Sequence, residues 1–255
     1  MITIADWFGY DIPHRERYRM IKNAGFEGIL LFWSEVFGHS DYKNAPDQIR
    51  NAGLFVENIH APFSGANNLW LDNLDGEGIT DYLLQCVNDC RDHQIPTMIV
   101  HLTSGDNPPP ATALGVDRIH KIIGHAEKLN INIALENLRR PDYLKAVFDK
   151  VDSNRLGFCY DSGHHNWRSA QTDLLAMYGD KLMALHLHDN DGTSDQHRLP
   201  FDGSIDWSAL MKKLAESHYT SPIALEVTNF GHEDMQSEVF LALAFERAKE
   251  LEALL

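Results

Sequence analysis

Between Ala184 and Trp207 the chain reads ALHLHDNDGTSDQHRLPFDGSIDW, which brings His186, His188, Asp189, Asp195 and His197 close together in sequence. Imidazoles and carboxylates at that density are costly to hold together unless a positive charge draws them in, and a divalent metal is the obvious candidate. The same residue types recur at the ends of short apolar runs. His60 follows VENI, His101 follows MIV, Glu136 and Glu226 each follow IAL, and Asp161 and His164 follow FCY. Taken singly, a histidine after a strand is more often a hydrogen-bonded loop or core residue. A carboxylate inside an apolar run is harder to dismiss, because burying it unpaired costs several kcal/mol. Glu136 and Glu226 therefore call for a cation or a proton, and the joint pattern predicts a metal site.

Short β-branched runs alternate with helical-period segments along the whole chain. The expected strands are Ile2–Ala5, Glu27–Phe32, Leu54–His60, Thr97–Leu102, Ile131–Glu136, Leu156–Tyr160, Leu182–Leu187 and Pro222–Val227. Expected helices include Pro13–Ala24, Glu77–His93, Ala111–Leu129, Pro141–Val151, Ala170–Tyr178, Trp207–Ser217 and Asp234–Leu254. Strand–helix alternation implies βαβ units and a parallel sheet. Eight units without a change of composition predict an α/β fold, a single (β/α)8 TIM barrel over residues 1–255. The alternative, an open doubly wound sheet, would carry a glycine-rich phosphate turn after the first strand, and Asp6-Trp-Phe-Gly-Tyr is not one. In a barrel the C-terminal strand ends share one rim. The third to eighth strands would each deliver a metal-type ligand there.

The formal charge of −15 argues against broad nucleic-acid binding, which needs Lys and Arg to displace counterions, so nucleic acid is an unlikely partner. No apolar run is long enough to span a bilayer and no signal-peptide pattern opens the chain, so a soluble, cytoplasmic protein is expected. Cys86, Cys90 and Cys159 lack metal-type spacing and read as buried thiols of a reducing compartment. The apolar C-terminal helix, Val239–Leu255, either closes the barrel or offers a surface for a homodimer.

The motifs IHAPF, ALEN, DSGHH, HLHDN, DQHRLPFDGSIDW and ALEV together resemble the xylose-isomerase-like TIM-barrel superfamily, and most of all its sugar phosphate isomerase/epimerase branch. The resemblance covers nearly the whole chain. It implies a divalent-metal-dependent sugar, sugar phosphate or cyclitol isomerase or epimerase. Its metal ligands would be Glu136, Asp161, His186 and Glu226, holding one ion among Mn, Zn, Mg, Co and Fe. Related endonuclease IV nucleases hold up to three ions, and the additional ligands that match are His60, His101, His164, Asp195 and His197. Ligand type alone does not separate the branches.

By resemblance, Glu136 and Glu226 are the catalytic pair, one removing the proton beside a carbonyl and the other returning it to an enediolate. His164, His188, Arg198, Trp7 and Phe63 are the expected substrate-binding residues. Trp7, Phe8, Trp33, Phe63, Trp70 and Trp167 are the aromatics expected near the rim, and Arg139, Arg140, Arg168 and Arg198 the cations. A carbohydrate-like small molecule is the expected substrate. Phosphodiester hydrolysis at abasic sites and a non-catalytic binding barrel are the alternatives.

Overall fold

The computed structural model describes residues 1–35 and 41–255. Eight parallel strands make the inner layer: β1 (Ile2–Ala5), β2 (Gly28–Phe32), β3 (Phe55–His60), β4 (Thr97–Val100), β5 (Asn132–Glu136), β6 (Leu156–Asp161), β7 (Leu182–His186) and β8 (Ile223–Leu225). Their order is β7-β6-β5-β4-β3-β2-β1-β8. The ends of that order meet where the Leu187 amide donates to the Ala224 carbonyl at 2.9 Å and the Glu226 amide to the Leu187 carbonyl at 3.1 Å. This is a (β/α)8 TIM barrel, and the doubly wound alternative falls.

The outer layer holds α1 (His14–Ala24), α2 (Ala45–Asn51), α3 (Leu74–Asp92), α4 (Ala113–Leu129), α5 (Asp142–Phe148), α7 (Leu174–Tyr178), α8 (Trp207–Glu216) and α9 (Ser237–Glu252), while α6 (Ser162–His164) is a single buried turn at the barrel mouth. Caps set several starts. Asn73 accepts from the Gly76 amide, Thr112 from Gly115 and Asp206 from Ala209, each satisfying a donor the helix leaves orphaned. The Asn73 cap opens α3 three residues before the expected Glu77. The helix expected over Ala170–Tyr178 is shorter and starts at Leu174, where Asp173 accepts from the Ala176 amide as its cap; α6 and a π-helical turn, His165–Ser169, precede it. Helix α2, short and opened by Pro46, was not anticipated. No described helix is long and apolar enough to cross a membrane.

Strands covered on both faces read as near-continuous apolar runs. Their outward residues, among them Ile4, Leu31, Ile59, Met98, Leu135, Phe158 and Leu185, join the main core with the helices. Ile99, Ala134, Cys159 and Ala184 form a separate small cluster. Side chains alternate with period two. Two residues beyond those four positions, the same parity delivers His101, Glu136, Asp161 and His186 to the C-terminal mouth. Cys86 and Cys90 lie buried on α3, and burial pushes the Cys86 thiol up to about 12. The apolar face of α9, including Phe240, Leu241, Ala244 and Leu251, is buried, and the helix packs on α1, β1 and β8.

Candidate metal and active site

Glu136, the last residue of β5, is the hub of the mouth. Its Oε2 lies 3.4 Å from His60 Nε2, 3.1 Å from His101 Nε2 and 3.1 Å from His186 Nδ1, and its Oε1 lies 3.1 Å from His164 Nδ1. His186 Nδ1 is also 3.4 Å from Glu226 Oε2. Carboxylates from β5 and from the end of β8 thus converge on one imidazole nitrogen. His60 and His101 face each other through their Nε2 atoms at 3.1 Å.

Asp161 does two jobs. Its Oδ1 accepts from the His164 amide at 2.6 Å and so caps α6, which holds His164 over the site. Its Oδ2 lies 3.2 Å from His188 Nε2. Gly163 is required by the approach of that ring, since a Cβ there would meet His188 at 1.9 Å. Asn137, which the motif ALEN contained but which had no assigned role, clamps the same turn. Its side chain exchanges two 2.8 Å hydrogen bonds with the Asp161 backbone, and its carbonyl lies 3.1 Å from His164 Nδ1.

The loop after β7 brings in a further group. Asp195 Oδ2 lies 3.1 Å from His164 Nε2, and its Oδ1 lies 3.4 Å from His197 Nε2. His197 sits at φ 46°, a left-handed conformation disfavoured for a non-glycine residue, and is held there by its surroundings. Its carbonyl accepts from the Thr228 amide at 2.8 Å, and its Nδ1 lies 2.8 Å from the Glu226 carbonyl. Asp189 builds this loop. It is fully buried and accepts from the amides of Asn190, Phe201 and Ile205 and from Trp207 Nε1 at 2.8 Å. A Cβ at Gly203 would strike Asp189 Oδ1 at 2.2 Å.

Electrostatics tie these groups together. Burial alone would raise the Glu136 and Asp161 carboxyls, but the neighbouring imidazoles hold both below the usual range. Burial would strip the proton from His164, His186 and His197. The carboxylates around His164, chiefly Asp161, keep it well above the ordinary value, and Cys159, Glu226 and Glu136 do the same for His186. The bond to Asp195 lifts His197 to about 9. His101 goes the other way, because its burial outweighs Glu136.

Donor chemistry fits a divalent cation. Glu136 Oε2, His186 Nδ1 and Asp195 Oδ1 are buried and make no aligned hydrogen bond, despite the close contacts. His60, His101 and Glu136 place ligand atoms within 4.8 Å of one another, as do Glu136, Asp161 and His164, and His60, His186 and Glu226. An ion would satisfy these atoms together, as mixed His/carboxylate sets do.

Above the cluster lies a cavity of about 380 Å³. His60, His101, Glu136, His164, Asp195, His197 and Glu226 line its polar side, and Trp7, Phe32 and Phe63 line an apolar side. Phe63 stacks on His101 with ring centroids 4.7 Å apart. His188 does not line the cavity. It is fully buried, stacked on His197 at 4.0 Å. Arg198, expected to bind substrate, also stays outside. Its Nη1 donates to the Asp202 carbonyl at 3.2 Å, its Nη2 lies 3.6 Å from Asp191, and the guanidinium covers Phe230. Three expected rim aromatics are core residues instead. Phe8 packs on Phe240, Trp33 donates to Asp89 on α3, and Trp70 donates to the Leu102 carbonyl.

A TIM barrel whose mouth gathers histidines and carboxylates from six consecutive strand ends defines a class, and comparison with known proteins gives its family. The model of the xylose isomerase-like TIM barrel family matches residues 18–248, and the chain belongs to that family. Among solved structures, a D-tagatose 3-epimerase-like protein superposes with TM-score 0.77 at 18% identity, covering 98% of this chain and 97% of the other. D-psicose 3-epimerase from Clostridium cellulolyticum H10 gives 0.79 at 15%, covering 98% and 99%. These likenesses show the fold. Protein MJ1311 of Methanocaldococcus jannaschii is 24% identical over 217 residues, 76% of this chain and 73% of that one. Protein y4fM of Sinorhizobium fredii is 40% identical over 111 residues, 40% of this chain and only 35% of its own length.

Proposed function

We propose that the protein is a divalent-metal-dependent isomerase or epimerase of a small polyhydroxylated carbonyl compound, acting by proton transfer through an enediolate. The convergence of Glu136 and Glu226 on His186 carries this reading, because it sets two carboxylates from different strands at the floor of one partly apolar pocket. Sugar epimerases among the structural neighbours support it. Glu136, Asp161, His186 and Glu226 would hold the ion, which supplies Lewis-acid stabilisation of charge on a substrate oxygen. One carboxylate takes the proton from the carbon beside the carbonyl, and the other returns it, on the opposite face when the product is an epimer. His164 faces the pocket and can hydrogen-bond a substrate hydroxyl. Trp7, Phe32 and Phe63 cover the carbon skeleton and exclude water.

The test is exchange of the proton beside the carbonyl with solvent, followed by NMR for a panel of ketoses in deuterated water. Glu136→Gln and Glu226→Gln should each abolish exchange with the fold retained. Undiminished exchange in both variants removes these carboxylates from the chemistry.

A second reading, phosphodiester hydrolysis at a centre of two or three ions, is favoured by one observation. His60 and His101 on one side, and His164, Asp195 and His197 on the other, extend the donor set beyond what one ion can use. Metal content per chain separates the two. About one equivalent favours the isomerase, whereas two or three, with cleavage of an abasic duplex, favour hydrolysis.

A further inference from the structure

Arg139 and Arg140 are neighbours in sequence and opposites in structure. Arg140 is an ordinary surface pair, its Nε at 3.0 Å and its Nη2 at 2.8 Å from the two oxygens of Asp142. Arg139 lines the pocket, three residues beyond the catalytic Glu136, and its side chain is 27% exposed. Its Nε approaches Asp106 Oδ1 at 3.0 Å but out of line, and among the described residues it donates no hydrogen bond. Asp106 already accepts from Arg168 Nη2 at 3.0 Å. Trp167 lies against both guanidiniums, 5.0 Å from the Arg139 carbon and 3.8 Å from that of Arg168. Two cations thus share one carboxylate at the pocket's edge, leaving a local charge of +1 in a chain of −15. Beyond the Nε contact with Asp106, the terminal nitrogens of the Arg139 fork donate to no described residue.

We propose that this edge is a subsite for a carboxylate at the end of the substrate opposite the reacting carbonyl, with Arg139 as its binding residue and Arg168 and Trp167 holding the guanidinium in place. A planar fork of donors matches a carboxylate two bonds at a time. The charge matches as well. A local +1 neutralises a monoanion, whereas a phosphate monoester carries about −1.5 to −2 and is ordinarily met by several cations or a helix N-terminus. Arg139 is the only Lys or Arg among the described lining residues. The substrate class is then a polyhydroxylated keto acid. This inference rests on the isomerase reading for the remainder of the ligand.

The test measures binding without turnover. Calorimetry on the full chain loaded with Mn²⁺ compares ribonate, ribitol and ribitol 5-phosphate, none of which has a carbonyl to react. Ribonate should bind about tenfold or more tighter than ribitol, as expected for a charge-assisted bidentate contact. That preference should fall to near unity in Arg139→Ala and partly return in Arg139→Lys, which keeps the charge and loses the fork. Equal affinity for ribonate and ribitol overturns the proposal. So does a preference that survives Arg139→Ala, since the carboxylate would then sit on the metal, and so does tighter binding of the phosphate. The exchange experiment is independent of this one. A ribonate preference in a protein that exchanges no proton of ketoses or of polyhydroxylated keto acids overturns proton transfer and leaves the subsite standing, whereas exchange without the preference overturns the subsite alone.

Discussion

The mouth of the barrel has two unlike arcs. From the ends of β1 and β2 and the loop after β3 come Trp7, Phe32 and Phe63, side chains that gain by leaving water. From β4 round to β8 come His101, Glu136, His164 and Glu226, with Asp195 and His197 from the loop after β7, groups that lose by leaving it. The ring of Phe63 on His101 is the seam between them. The polar arc survives burial because its charges offset one another. Imidazoles around Glu136 and Asp161 depress the carboxyls, and the carboxylates hold protons on His164, His186 and His197. One arc is held by area and the other by charge balance, so the same perturbation acts on them in opposite ways.

The largest effect expected comes from removing charge from the polar arc. Glu136→Gln or Glu226→Gln should lower proton exchange by about 10²- to 10⁴-fold, the usual contribution of a positioned acid or base, with circular dichroism unchanged. A loss below tenfold in both variants would make the two arcs catalytically equivalent.

The next effect is on pH dependence. Folded His197 has its pKa raised from 6.5 to about 9. Its contribution to stability is therefore fully present below pH 6.5 and is lost as pH rises through about 9. Metal-free protein should show a melting temperature that declines between pH 7 and pH 10. A bound cation displaces those protons, so metal affinity should rise over the same interval, with proton release visible as a binding enthalpy that depends on the buffer. A metal-free melting temperature rising with pH would contradict the charge-balance account of the polar arc.

Changes on the apolar arc should be smaller and of another kind. Phe63→Ala removes a stacked ring, a contact of about 0.5–1.5 kcal/mol beyond its buried area. It should raise KM by about tenfold and leave kcat within a few-fold, the mark of lost uniform binding. A fall in kcat of the size seen for Glu136→Gln would move Phe63 into the chemical step. The smallest effect is expected at Arg198. Its guanidinium lies outside the cavity and its ion pair is partly exposed, so Arg198→Ala should change stability by about 0–1 kcal/mol and leave kcat/KM unaltered.

Much of the polar arc was legible in the chain. A strand ending in a mouth residue leaves a local signature, an apolar run closed by His, Asp or Glu, and period-two alternation then fixes which neighbours point inward. His101, Glu136, Asp161 and His186 were found that way, and the eight strand positions with them. The aromatic arc was not legible. Trp33, Trp70 and Phe8 have the same chemistry as Trp7 and Phe63 and lie in similar loops, yet they face α3, α4 and α9. Sequence supplies the ring, and distant partners choose its direction.

The same division holds for charged groups. The sequence alone determined the fold class and the ring of strand-end histidines and carboxylates, because both depend on patterns read within a few residues. Only the tertiary structure decided that Asp189 is the hub of a loop and not a ligand, that Arg198 turns away, and that Arg139 faces the pocket while Arg140 pairs on the surface. Those outcomes rest on partners far along the chain, such as the Trp207 indole donor for Asp189 and the Asp106 carboxylate beside Arg139. A side chain's role follows from the partner that reaches it first, and folding alone brings those partners into reach.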